Sequence, residues 1–129
     1  MLSAEQRELF EAPNIGHLAT INRDGTPQVT PVWVDVQGDE ILINSAEGRT
    51  KVRNVRRDPH VSVEVVDRDN PYHTVTVQGR VVEITSQGAD EHIDSLAKKY
   101  LGKDKYPFRQ PGEQRVILRV ATEKVAAAA

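Results

Sequence analysis

The sequence predicts a single, mainly β domain: a closed or partly open barrel of six strands with two or three short helices. Its 129 residues suit one domain that spans positions 1–129. Short segments in which apolar and polar residues alternate recur between turn signals, which is typical of β-barrels. The sequence lacks both the regular strand–helix alternation of a dinucleotide-binding fold and its Gly-x-Gly-x-x-Gly motif.

Six segments carry the strand pattern, and turn residues bound each of them. They comprise residues 15–22, 28–36, 41–45, 61–65, 72–85 and 115–121. The first two flank an Asp-Gly turn and therefore predict a hairpin. Pro27 and Pro31 have no amide hydrogen to donate, so the second strand is expected at an edge or a bulge. Gly79 predicts a bulge in the long fifth strand.

Three further segments carry helix signals. Ser3 and Gln6 form a capping-box pattern, which predicts a short helix directly after Ser3. Valines three apart at 52–55 predict a second short helix, which ends before an Asp-Pro pair. Apolar residues over 93–101 have helical spacing, and Ser86 is the expected cap of this third helix.

Composition narrows the classes of function. The chain has no cysteine, which excludes disulfides, thiolate metal sites and a cysteine nucleophile. A net charge of −2 and a pI of about 6.1 give no general attraction to nucleic acid or to anionic membranes. The N-terminus lacks the basic start and apolar run of a signal peptide. We therefore expect a cytoplasmic protein with no nucleic-acid or membrane partner.

The strongest chemical signal is a basic segment that follows the third predicted strand. It holds five cations within nine residues: Arg49, Lys51, Arg53, Arg56 and Arg57. Gly48 permits a tight turn, and the helix that follows offers free N–H groups and a positive dipole end beside Arg49, Thr50 and Lys51. Such an arrangement suits a phosphate group. Two alternatives stay open: a solvated helix face, and a nucleic-acid patch, which the missing aromatic platform disfavours.

Other polar residues give weaker signals. The four histidines His17, His60, His73 and His92 show no ligand spacing, so no metal site is expected. His17 is expected inside the first strand and His92 on an exposed helix face. No serine-nucleophile motif occurs in the sequence, so a cofactor is expected to carry any redox chemistry. Trp33, the only tryptophan, fits either a ring-binding groove or an ordinary core.

Three segments together resemble the pyridoxamine 5'-phosphate oxidase-like, FMN-binding split barrels, and most of all the actinobacterial branch that uses the deazaflavin coenzyme F420. They are Gly16–Thr20, Asp24–Trp33 and Arg49–Pro59. The likeness runs from the first helix to the last strand. Its most specific part is the string Arg-x-Lys-x-Arg-Asn-x-x-Arg-Asp-Pro, which begins at Arg49.

The resemblance implies a six-stranded split barrel and a homodimer with cofactor sites at its interface. It also implies a reductase that passes a hydride from reduced coenzyme F420 to an unsaturated acceptor such as an enone, a lactone or a bilin-like tetrapyrrole. FMN in the same site, or F420 binding without turnover, are the alternatives. Because the longer true oxidases end in an arginine- and histidine-bearing segment, pyridoxal synthesis is not expected.

The resemblance also implies the cofactor-binding residues, and it names no catalytic side chain. They are Gln28, Thr30, Pro31, Val32, Trp33, Asn44, Ser45, Arg49, Thr50, Lys51, Arg56 and Tyr72. Tyr72 and the loop 105–109 are expected to reach the site from the partner subunit. The extra cations Arg53, Arg56 and Arg57 favour F420 over FMN, because F420 carries an anionic oligoglutamate tail.

Overall fold

A computed structural model describes residues 1–127 and contains three helices and seven strands in that range. In chain order they are α1 Ala4–Glu11, β1 Gly16–Ile21, β2 Pro27–Val32, β3 Val34–Gln37, β4 Glu40–Ala46, α2 Thr50–Arg57, β5 His60–Asp67, β6 Asn70–Thr85, α3 Ala89–Leu101 and β7 Arg115–Ala127. The strands form one antiparallel sheet in the order β2-β1-β5-β6-β7-β4-β3. The predicted class, a mainly β split barrel with short helices, is confirmed.

The predicted number of six strands is wrong by one, because segment 28–36 is two strands separated at Trp33. β2 and β3 lie at opposite edges of the sheet, so the sheet must curl until its edges approach each other at Trp33. The Tyr100 hydroxyl takes the place of a strand partner at the break. It accepts the amide N–H of Val34 at 3.0 Å and donates to the Asn14 carbonyl at 2.7 Å.

Two predictions about backbone hydrogen bonding are confirmed: the edge position of the prolines and the bulge at Gly79. Pro27 and Pro31 lie on the edge strand β2. The register between β6 and β7 shifts between Gln78 and Gly79, which is the predicted bulge. The two backbones approach so closely there that a Cβ atom on Gly79 would lie 2.1 Å from the carbonyl oxygen of Ala121.

The barrel interior is filled mainly by valines from alternate positions of the central strands. Val63 pairs with Val77 and Val65 pairs with Val75, and all four side chains are fully buried. Phe10 of α1 is fully buried in the same core. Each such side chain contributes about 1.5–3 kcal/mol on burial, so the interior stabilises the fold without disulfides.

The helix ends are set by local chemistry. Ser3 and Gln6 form both bonds of the predicted capping box at α1. The predicted cap of α3 is wrong, because the helix begins after Gly88 and the Ser86 carbonyl only accepts the amide N–H of Ala89 at 3.1 Å. None of the helices within residues 1–127 has the length and apolar character needed to cross a membrane.

Candidate functional site

A cavity of about 350 Å³ lies where the two sheet edges meet, next to the start of α2. The end of β4, the start of β7, α3 and the loop before β7 complete its walls. The lining residues are Ile15, Pro31, Val32, Trp33, Asn44, Ser45, Arg49, Lys51, Ile93, Tyr106, Phe108 and Arg115. The cavity therefore joins both sheet edges to the basic segment.

Three cations converge on this cavity. Arg49 immediately precedes α2, Lys51 lies in its first turn, and Arg115 opens β7. Burial lowers the pKa of Lys51, and the positive charges of Arg49 and Arg115 lower it further. An anion held among these side chains would relieve their repulsion. The electrostatics therefore suit a phosphate or carboxylate group.

The start of α2 adds free backbone donors beside the cavity. The amide N–H groups of Thr50 and Lys51 have no partner within residues 1–127, as is usual for the first turn of a helix. The Ser45 side chain lines the cavity, is only 3% exposed, and its hydroxyl also finds no hydrogen-bond partner in the described chain. Because buried hydroxyls normally have a partner, Ser45 is a candidate ligand-binding group.

Another part of the cavity lining is an aromatic wall. The Trp33 ring stacks on Tyr100 with centroids 5.2 Å apart and meets Tyr106 edge-on at 5.9 Å. Phe108 extends the cluster, 5.7 Å from Tyr106, and is largely exposed. Flat aromatic walls bind planar apolar groups, so the cavity combines an anion-binding end with a surface for a ring system.

Comparison with known proteins identifies the family. Residues 2–128 match the family model described as pyridoxamine 5'-phosphate oxidase. The chain belongs to the pyridoxamine 5'-phosphate oxidase family. Proteins with this fold bind flavin-type cofactors, which agrees with the cavity's combination of cations and aromatic rings.

Solved structures of members and relatives agree with this assignment. An F420 reductase is 33% identical over 93% of this chain and 94% of its own, with a TM-score of 0.82. The conserved hypothetical protein Rv2991 from Mycobacterium tuberculosis is 27% identical over 99% of this chain and 84% of its own, with a TM-score of 0.76. A putative pyridoxamine 5'-phosphate oxidase from Listeria innocua shares the fold at 19% identity, covering 97% of this chain and 98% of its own, with a TM-score of 0.71.

The fold brings most of the predicted site residues together. Those that line the cavity are Pro31, Val32, Trp33, Asn44, Ser45, Arg49 and Lys51. Gln28 and Thr30 lie nearer the start of β2 and do not line the cavity. Gln28 accepts a hydrogen bond from the Thr20 hydroxyl at 3.3 Å, and the Thr30 hydroxyl is buried without a partner in the described residues.

Three other predicted residues lie outside the cavity. Thr50 and Arg56 line a neighbouring basic cleft along α2, where Arg56 forms an ion pair with Glu47. Tyr72 lies at the start of β6 and is 86% exposed. The contribution of Tyr72 from a partner subunit stays a prediction. Tyr106 and Phe108, from the loop expected to reach across to a partner, already line the cavity of their own chain.

Two further polar residues near the cavity carry no recognisable site motif in the sequence. Arg115 was only the first residue of a predicted strand, and it reaches the cavity because β7 pairs with β4 from Ala46 onward. The expected exposure of His92 is wrong. Its side chain is 9% exposed and packs between Asp35 and Asn44, because this face of α3 lies against β3 and β4.

Proposed function

We propose that the protein is an oxidoreductase that binds coenzyme F420 in this cavity and transfers a hydride from its reduced form to an unsaturated organic acceptor. One observation carries the proposal: Arg49, Lys51 and Arg115 converge on a cavity that also has an aromatic wall. The 33% identity to an F420 reductase supports the choice of cofactor.

The chain's residues fit the chemistry of such a cofactor. Arg49, Lys51 and the free N–H groups at the start of α2 would hold the phosphate. The segment Pro31–Trp33 would flank the tricyclic ring. When bound, the deazaflavin supplies the hydride. The protein supplies binding, orientation and a partly apolar surrounding, which are the usual contributions of a protein to cofactor chemistry.

The basic cleft beside the cavity favours F420 over FMN. Its side chains include Arg23, Arg53 and Arg57. Arg53 donates to the Gly48 carbonyl at 2.6 Å, and Arg57 donates to the Ile21 carbonyl at 2.6 Å. These contacts hold the guanidinium groups without neutralising their charge. The cleft therefore suits the anionic oligoglutamate tail that F420 carries and FMN lacks.

The acceptor would lie against the aromatic wall, which suits a planar conjugated compound such as an enone, a lactone or a bilin-like tetrapyrrole. Within residues 1–127, no carboxyl or imidazole group lines the cavity. The proton that completes the reduction would therefore come from solvent.

We also propose that the protein is a homodimer. Val29 on β2, Val82 on β6 and Tyr72 are large apolar side chains that are exposed in the single chain. Association of two copies through the faces that carry these side chains would remove their apolar surface from water. Sedimentation equilibrium should give twice the chain mass, whereas a monomer at micromolar concentration would contradict the proposed dimer.

A fluorescence titration tests the cofactor proposal, with F420 and FMN measured in parallel. Binding of F420 at much lower concentration than FMN supports the deazaflavin, and the reverse result would move the protein to FMN. Oxidation of reduced F420 by an enone or lactone in the presence of the protein would then support the reductase. Tight binding without turnover across a broad acceptor panel would favour a binding protein.

A further inference from the structure

A row of polar side chains leads from the partly exposed carboxylate of Asp35 to the cavity wall. It contains Asp35 of β3, His92 of α3, Asn44 of β4 and Arg115 of β7. The Asp35 carboxylate Oδ2 lies 3.2 Å from His92 Nε2, and His92 Nδ1 lies 3.1 Å from Asn44 Nδ2. Arg115 Nε donates to Asn44 Oδ1 at 2.9 Å. Four separate elements thus meet through one hydrogen-bonded row.

The donor and acceptor roles in this row are fixed from its cavity end. The Arg115 guanidinium can only donate, so the oxygen of the Asn44 amide must face it. The amide nitrogen then faces the Ala89 carbonyl at 2.9 Å and His92 Nδ1. Because that nitrogen donates both of its hydrogens, Nδ1 must be an acceptor. The imidazole hydrogen therefore lies on Nε2, where the Asp35 carboxylate accepts it.

Reversing the Asn44 amide would break several contacts at once. Its nitrogen would face the donor Nε–H of Arg115, and its oxygen would face the Ala89 carbonyl oxygen. The same conflict arises if a hydrogen is placed on His92 Nδ1. The row therefore has one arrangement in which each contact joins a donor to an acceptor, and that arrangement orients Arg115.

Arg115 is the member of the row that presents donors to the cavity. Its side chain is only 4% exposed, and its Nη1 donates to Glu113 at 3.0 Å. Its Nη2 group makes no hydrogen bond with any described residue. Arg115 also lines the cavity. The guanidinium also lies over the Tyr106 ring, with Cζ 5.1 Å from the centroid. Two of its nitrogens are thus held by the protein, and the third is available to a ligand.

We propose that His92 is a positioning residue for the cavity: held by Asp35 as the Nε2–H tautomer, it fixes the Asn44 amide, and Asn44 fixes the Arg115 guanidinium for binding an anionic group. This assigns Asn44 an indirect role in ligand binding. The positioning role of His92 depends on the proposed function in one respect only, the identity of the anionic ligand.

The first test is NMR of the wild-type protein with no ligand present. At slightly alkaline pH, the ring nitrogen shifts of His92 should report hydrogen on Nε2 and none on Nδ1. Hydrogen on Nδ1 would overturn the proposal. This measurement needs no variant and no cofactor, so it can succeed even if the proposed function fails.

The second test compares variants through the exchange of the Arg115 Nε–H with water. His92→Leu should speed this exchange by about tenfold, the effect of losing one typical hydrogen bond. His92→Asn places an amide oxygen near the position of Nδ1 and should restore slow exchange. His60→Leu, at an exposed histidine, is the control and should leave it unchanged. Equal exchange in wild type and His92→Leu would overturn the positioning role.

The third test links positioning to binding, with F420 as the probe. His92→Leu should weaken F420 binding by about tenfold while His92→Asn keeps it, because only the first loses the contact with Asn44. Unchanged F420 affinity in His92→Leu would overturn the link to binding. If wild type binds neither F420 nor FMN while both NMR results hold, the cofactor proposal fails and the positioning of Arg115 stands.

Discussion

Replacing Lys51 with alanine should weaken binding of F420 by about 1.5–3 kcal/mol, the usual contribution of a hydrogen bond to a charged group. Two opposing effects set the size of the loss. The variant loses a charge-assisted donor, but it also removes a cation whose pKa is lowered by burial and by Arg49 and Arg115. We therefore expect the lower part of this range, within an overall window of about 10- to 150-fold in Kd.

The same reasoning predicts that losing the Lys51 charge does not lower the folding stability of Lys51→Ala. A lysine whose pKa falls on folding is unfavourably charged in the folded protein at every pH below that value. Removing this charge should leave the melting temperature of the free protein unchanged or slightly raised. The loss of affinity can therefore be separated from a loss of folding.

Fluorescence titration with F420 at constant ionic strength measures the change in affinity. Lys103→Ala is the matched control, because Lys103 is exposed and forms no ion pair within the described residues. Lys51→Arg keeps the charge and should recover part of the affinity. If Lys51→Ala binds F420 as tightly as wild type, Lys51 does not contact the phosphate and the proposed anion site is wrong.

Three further predictions test the fold and the electrostatics. Tyr100→Phe should lower the free energy of unfolding by about 1–3 kcal/mol, because it leaves the buried amide of Val34 without its acceptor; unchanged stability in urea denaturation would contradict this. Gly79→Ala should destabilise the protein and shift β6 against β7, since its Cβ would lie 2.1 Å from the Ala121 carbonyl oxygen; a wild-type melting temperature would refute the close approach. Affinity for F420 should fall as pH rises through the lowered pKa of Lys51, because an anion favours the protonated amine; Lys51→Ala should lose this pH dependence, and its persistence would assign it to another group.

Elements encoded by neighbouring residues could be predicted from the sequence. The capping box of Ser3 and Gln6 and the bulge at Gly79 are of this kind. The break at Trp33 could not be predicted, because the alternation of apolar residues continues through it. At this break the amide of Val34 donates to the hydroxyl of Tyr100, which lies far along the chain.

The same distinction applies to the cavity. Arg49 and Lys51 stand out in the sequence because they belong to one short basic string. Arg115 is distant in sequence and joins them only through the pairing of β7 with β4. The expected exposure of His92 is wrong for a related reason: a polar residue on a helix usually faces water, and the partners of His92, Asp35 and Asn44, lie on two strands far from it in the sequence.

The most direct test of the central claim compares F420 with its phosphate-free deazaflavin core under identical conditions. Both compounds carry the same ring, but the core lacks the oligoglutamate tail as well as the phosphate. The ratio of their dissociation constants therefore reports what the cavity cations and the basic cleft contribute together. If Arg49 and Lys51 hold the phosphate and the basic cleft holds the tail, the core should bind at least about tenfold more weakly, the effect of losing one charge-assisted hydrogen bond. Equal affinity for the two compounds would contradict the account, because the cations would then have no part in holding the cofactor.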